Sequence, residues 1–401
     1  MSDLKQQAAD TFETVEAELI ELSRWMYEHP ETAYEEFESS RRLSETLAEH
    51  GFEVTYPAYG IDTAFEATAG TSGPRVVICA EYDALPGVGH ACGHNIIATS
   101  SLGAGIALAG LVEELGIRLT VLGTPAEEGG GGKIDLLEAG AFDGAAASML
   151  IHPTHRERGD LADPRLLAAQ GLTVEYHGKE AHAAAAPYAG VNALDAFVSA
   201  YNAVSALRQQ FREGDRVHGV IDEGGLAPNV VPAYTKSRWI VRALTKERFE
   251  ELREKVIACF HAAATATGCT VEITPEGEPY VDLISDPVLV ELFVANSETL
   301  GRPMPTHAEV GVPVFASTDM GNVSHAVPSI HPSVAIDTDA VNHQAEFAAA
   351  TITESGNKAL RDGALAMAHT IIDMAVEKVW TRLAEPTHDR TSTPPSDSSS
   401  G

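Results

Sequence analysis

The 401-residue chain holds 58 acidic against 27 basic residues, and its net charge of −31 argues against nucleic acid or an anionic membrane as a partner held by bulk electrostatics. With 44% hydrophobic residues it can fill more than one core, yet it has no run of roughly 18 apolar residues to span a membrane. Four cysteines in this length do not make a disulfide scaffold.

The acidic, amphipathic start lacks the basic and apolar regions of a secretory signal, so a cytoplasmic location is expected. Helical spacing predicts a helix from Leu4 to His29, stopped by Pro30, and a second from Glu36 to His50, closed by Gly51. Strand-like pieces follow at Phe52–Tyr56 and Thr63–Ala67. The run Arg75–Ala80 is apolar on both faces, as a central parallel strand should be. Asn95–Glu114 reads as a helix whose small residues allow close packing on a sheet. Ile117–Gly123 and Ala145–Ile151 repeat the buried-strand pattern, with a helix near Lys133–Ala139 between them.

This rhythm implies an α/β fold, a doubly wound, mainly parallel sheet with ligands at the strand C-termini. After Gly171 the order becomes strand (Leu172–His177), helix (Ala193–Arg212), two strands (Val217–Asp222, Tyr234–Ala243), helix (Lys246–Gly268) and strand (Thr270–Pro275). That is a ferredoxin-like α+β unit. Buried-sheet signals return after Asp286. The expected division is therefore a discontinuous catalytic domain, 1–170 and 279–386, with an inserted domain at 171–278. A polar, Pro/Ser-rich tail at 387–401 is expected to be disordered.

Chemistry-bearing residues fall at the predicted strand ends. Cys92 and His94, two apart on a Gly-rich turn at a helix start, suit zinc, manganese or a similar ion; a structural Cys beside a capping His fits the same letters. In AEEGGGG (Ala126–Gly132), adjacent carboxylates point in different directions, so one can bind metal while the other meets substrate. Paired Glu before Gly is also common at exposed turns. His152 ends a buried strand and is a ligand candidate, whereas His155 reads as exposed.

Together DALP (Asp83–Pro86), HACGHN (His90–Asn95), TPAEEGGGG (Thr124–Gly132), IHP (Ile151–Pro153) and GKEAHAAAAP (Gly178–Pro187) resemble the di-metal aminoacylase/carboxypeptidase superfamily. The likeness is to its amidohydrolase branch, which holds auxin-conjugate hydrolases, p-aminobenzoyl-glutamate hydrolase and a cytosolic dipeptidase for β-alanyl-lysine-type substrates. The GVG link after Pro86 and STDMGNVSH (Ser317–His325) are most similar to that dipeptidase subgroup.

The resemblance implies two divalent cations per subunit, zinc or manganese first and cobalt or nickel tolerated, on Cys92, His94, Glu128, His152 and His343. His331 competes with His343 for the last place. Glu127 would be the general base and Asp83 would orient a ligand. Asn95 stands where the wider family often has Asp. His182, which could equally cap the helix after Pro187, would reach over the metals, in some relatives from a partner subunit. Asn229 and Arg242 would hold a substrate carboxylate, with Arg238 as the alternative. The expected activity is cleavage of the amide bond in an N-acyl amino acid or unusual dipeptide with a free carboxylate. An aminohydrolase acting on an atypical amine and a silent binding protein on the same fold are the rival readings. A homodimer formed through the inserted domain is expected.

Overall fold

The computed structural model describes residues 3–311 and 316–383. The tail expected from Thr387 lies outside the described residues.

Helices α1 (Asp3–Glu28) and α2 (Phe37–Glu49) lead into strands β1 (Glu53–Thr55), β2 (Phe65–Ala69) and β3 (Arg75–Glu81). Helix α2 ends as its sequence predicts, with Gly51 in the left-handed region. Then come α3 (His94–Ala109), α4 (Val112–Leu115), β4 (Arg118–Thr124), α5 (Gly132–Glu138), β5 (Ala145–Met149) and β6 (His152–His155). The single helix predicted at Asn95–Glu114 is thus two, separated at Gly110 and Leu111. The second sheet is built from β7 (Ala168–His177), α6 (Ala193–Leu207), β8 (Arg216–Glu223), β9 (Tyr234–Ala243), α7 (Lys246–Thr267) and β10 (Thr270–Tyr280). The chain finishes with α8 (Pro287–Thr299), α9 (His307–Val310), α10 (Met320–Ala326), β11 (Ser329–Ile330), β12 (Ser333–Ile336), α11 (Ala345–Ala350) and α12 (Glu354–Glu377).

The large sheet runs β1-β2-β4-β3-β5-β11. Its centre is parallel, while β1 and β2 form an antiparallel edge. Strand alternation buries both faces of β3. Val76, Ile78 and Ala80 join a core with Phe12, Leu19 and Leu102, and Val77 and Cys79 join another with Leu136, Phe142 and Val323. Beyond the large sheet, β6 and β12 pair in parallel, in register His152 with Ser333.

The second sheet, order β10-β7-β9-β8, is antiparallel throughout and carries α6 and α7 on one face over Trp239, Phe249 and Phe260. This is the ferredoxin-like unit. The sequence bounds 171 and 278 fall inside β7 and β10, because pairing between those strands extends into segments whose letters read as loop. Among the described residues no helix is long and apolar enough to cross a membrane.

Candidate metal centre

Three strand ends converge. After β3 the chain passes Asp83 and turns through Gly93, which caps α3 with φ near +87°. A Cβ there would stand 2.8 Å from Pro153 Cγ, so the start of α3 lies hard against β6. That approach sets Cys92 Sγ 3.4 Å from His152 Nε2. After β4, Ala126 takes a left-handed conformation and donates its N–H to buried Glu36, at 2.9 Å, aiming Glu127 and Glu128 inward. After β12, His343 also sits at positive φ, its N–H donated to Ala91 O at 2.8 Å. Its Nε2 lies 3.6 Å from Glu128 Oε2 and 3.8 Å from Cys92 Sγ. Two non-glycine residues held at positive φ beside one cluster are the kind of strain that tertiary structure supports at functional sites.

Asp83 organises the cluster from beneath. Its Oδ1 accepts from His94 Nδ1 at 3.0 Å and its Oδ2 from the Glu128 N–H at 2.9 Å. Burial would depress His94, but Asp83 outweighs it and holds the imidazole well above its ordinary value. With Nδ1 bonded to Asp83, Nε2 faces oxygens of Glu81, Glu128 and Glu127 at 3.6, 3.8 and 3.9 Å. These distances are too long for hydrogen bonds, and His94 Nε2 and Glu128 Oε1 are buried without a partner.

Leaving such atoms bare costs about 1–3 kcal/mol each, more for charges. A cation among them removes that cost. Burial, then the neighbouring Glu81 and Glu128, push Glu127 well above the carboxylate range. Burial holds His152 down to about 4, keeping its imidazole neutral and able to coordinate. Ligand-type atoms of Cys92, His94 and His152, of Cys92, Glu128 and His343, and of His94, Glu127 and Glu128 lie within 4.8 Å of one another. A soft thiolate, imidazoles and carboxylates so grouped fit divalent transition ions.

The sequence candidates divide sharply. Cys92, His94, Glu127, Glu128, His152, His343 and Asp83 come together. His331 is buried with its ring 5.4 Å from that of His152, but it belongs to none of the ligand-distance groups. Asn95 points away from the cluster, donating to Ser23 Oγ and Thr351 Oγ1. A cavity of about 810 Å³ opens over the cluster, and Arg242 lines it, donating to Ser317 Oγ at 2.9 Å. Arg238 is instead engaged by Asp222 at 2.8 and 2.9 Å.

His182 and Asn229 of the same chain do not line that cavity, whereas Arg242 does. Asn229 precedes β9 and Arg242 is near its end, so the strand separates them by roughly 25–30 Å. His182 and Asn229 sit on paired exposed loops, where His182 Nδ1 accepts from the N–H groups of Ala184 and Ala185.

Sequence reasoning gave no role to Glu81, Lys133, Asp319 or Tyr280. Lys133 is wholly buried, its Nζ 2.6 Å from Glu81 Oε1 and 2.7 Å from Asp319 Oδ1. Tyr280 donates to Glu127 O at 2.6 Å. Glu81 stands two residues before DALP and Lys133 directly after AEEGGGG, while Asp319 lies within STDMGNVSH, and that adjacency was the available signal.

The geometry agrees with what the chain resembles. The Peptidase dimerisation domain family matches residues 168–267, the ferredoxin-like unit. The mouse protein named Xaa-Arg dipeptidase is 40% identical over 92% of this chain and 89% of its own length. Its human counterpart, of the same name, is 38% identical over 92% of this chain and 88% of its own. A dinuclear metal-binding peptidase of the M20 family from Bacillus subtilis shares the fold with a TM-score of 0.71, at 19% identity, over 91% of this chain and 99% of that one.

Proposed function

Because the chain belongs to the M20 family, in its amidohydrolase branch, we propose that the clustered residues described above divide the work of metal-dependent amide hydrolysis among them. The substrate is a dipeptide or N-acyl amino acid with a free carboxylate. Cys92, His94, Glu128, His152 and His343 would hold two divalent cations, zinc or manganese, which when bound polarise a carbonyl and lower the pKa of water. The observation that carries this reading is that buried His94 Nε2 faces Glu81 Oε2 and Glu128 Oε1 and none of the three has a hydrogen-bonding partner.

Glu127 takes a proton from the attacking water at its carboxylate. As the C–N bond breaks it passes that proton to the amine nitrogen, so the products leave as acid and amine. Burial and nearby carboxylates raise its proton affinity, as a base requires. Tyr280 fixes the Glu127 backbone by its hydrogen bond to the carbonyl. Arg242 reads the substrate carboxylate. It is half-buried, its pKa is lowered by burial, and among the described residues no acidic side chain pairs with it, so an incoming carboxylate completes its contacts.

A homodimer through residues 171–278 would bring the partner subunit's copies of His182 and Asn229 to this cavity. The dimerisation-domain match supports this, as do Tyr188 and Leu226, large apolar residues almost wholly exposed near the same loops. The relatives' name makes an arginyl dipeptide the first substrate to try, and Glu276 and Glu278 on the cavity wall would face a cationic side chain.

Glu127→Gln should keep its metal content and lose activity by about 1,000-fold or more. Near-normal turnover would remove Glu127 from the mechanism. Randomly mixed dimers of Glu127→Gln and His182→Ala chains should recover roughly a quarter of wild-type activity, since half are heterodimers with one complete site. No recovery would place His182 within its own subunit's site, and an active His182→Ala parent would remove it from catalysis.

A further inference from the structure

Glu81 ends β3, and neither carboxylate oxygen of this fully buried side chain makes a hydrogen bond of ordinary geometry. On one side Lys133 Nζ lies 2.6 Å from Oε1. The same ammonium serves Asp319, whose Oδ2 also accepts the Lys133 N–H at 2.9 Å. Two wholly buried carboxylates thus share one ammonium. A second cation is the direct way to complete the contacts of Glu81.

The other oxygen, Oε2, stands 3.6 Å from His94 Nε2, which is equally buried and unpartnered. Two ligands of one tetrahedral cation, each bonded at about 2.1 Å, stand ~3.4 Å apart. The gap is therefore cation-sized. Glu127 lies on the same side, its Oε2 3.9 Å from His94 Nε2.

We propose that Glu81 is a further ligand of the cation held by His94, and that Lys133 is a positioning residue which fixes the carboxylate so that Oε2 faces the ion. This rests on the two-cation reading above. It adds a wholly buried carboxylate to the five implied ligands and explains why a lysine is sealed beneath the cluster. Lys133 holds Oε1 and lies against Asp319, whose own place is fixed by the start of α5, so the Glu81 side chain has little freedom to swing away.

The direct test is a crystal structure of the full chain loaded with zinc, with the ions located by anomalous scattering. One zinc is expected at bonding distance, about 2.0–2.2 Å, from both His94 Nε2 and Glu81 Oε2. Zinc on His94 with Glu81 more than about 3 Å away would overturn the assignment. In solution, metal-stripped wild type and Glu81→Gln are titrated with zinc by calorimetry, and cobalt absorption is recorded on each. One of two equivalents should weaken at least ~10-fold in the variant, with an altered cobalt spectrum. Unchanged affinity and spectrum would sink the proposal. Should Glu81→Gln fail to fold, Glu81→Asp, which keeps the charge but shortens the reach, decides by the same readings. Wild type binding no cation would defeat the two-cation reading itself, whereas two tight equivalents in both chains would defeat Glu81 alone.

Discussion

Glu36 shows how a residue remote from the reacting atoms can shape the site. It is buried, accepts the Ala126 N–H, and so holds the strained turn that precedes Glu127 and Glu128. Burial, then the charge of Asp83, raises its carboxyl from 4.5 to about 7. Between those values the folded protein keeps a proton that the unfolded chain has lost, so stability falls as pH rises through that window. The penalty above pH 7 is on the order of 3 kcal/mol. Glu36→Gln keeps an oxygen for Ala126 and removes the charge. In metal-free protein its thermal midpoint should exceed that of wild type at pH 8, and the gap should close near pH 4.5. An equal gap at both pH values would contradict this account of Glu36.

At the same scale, Cys92, His94, Glu127 and Glu128 were legible because their spacing within short motifs already places them at strand ends. The resemblance put His343 ahead of His331, and in the fold it is His343 whose Nε2 faces Glu128 and Cys92. Glu81 and Lys133 were not, since a buried ion pair is made by tertiary packing and leaves no periodicity in the letters.

Among the elements, α3 carries His94 into the core. It is buried along nearly its whole length, and its small residues do what the sequence implies: a Cβ on Gly105 would stand 2.5 Å from Val121 of β4. Gly93 is the more demanding position, with positive φ and no room beside Pro153. Gly93→Ala should cost about 1–3 kcal/mol of stability and weaken metal binding by displacing Cys92 and His94. Gly110, with ordinary helical φ and nothing within 4 Å, is the control. Gly110→Ala should leave stability unchanged or raised by about 0.4–1 kcal/mol. Equal effects of the two in thermal denaturation with zinc titration would show that local packing at Gly93 does not set the site. The outer ends of β7 and β10 escaped sequence reading for a related reason. Ala168–Gly171 and Glu276–Pro279 have weak strand propensity; the first is held by continuous pairing with β9, and the second is spanned by the pairs Glu276–Gly171 and Tyr280–Ala169 on either side of an irregularity.

For the whole molecule, the β-α-β rhythm and its interruption revealed the doubly wound sheet and the ferredoxin-like unit. Which residues meet across the cleft was not legible. Arg242 faces the cavity from the end of β9, while His182 and Asn229 stand at the far end of the same sheet, a separation that only the folded strand reveals. Glu81, Asp83, Glu127 and Glu128 gather around one imidazole, that of His94, and divalent cations would offset that concentration of carboxylates. The decisive measurement is to strip the full-length protein of metal and titrate it with zinc, and separately with manganese, while following hydrolysis of an arginyl dipeptide and a neutral one. Hydrolysis should be absent without metal and reach a plateau at two equivalents per chain. Turnover by the stripped protein, or no stoichiometric binding of either ion, would contradict the account.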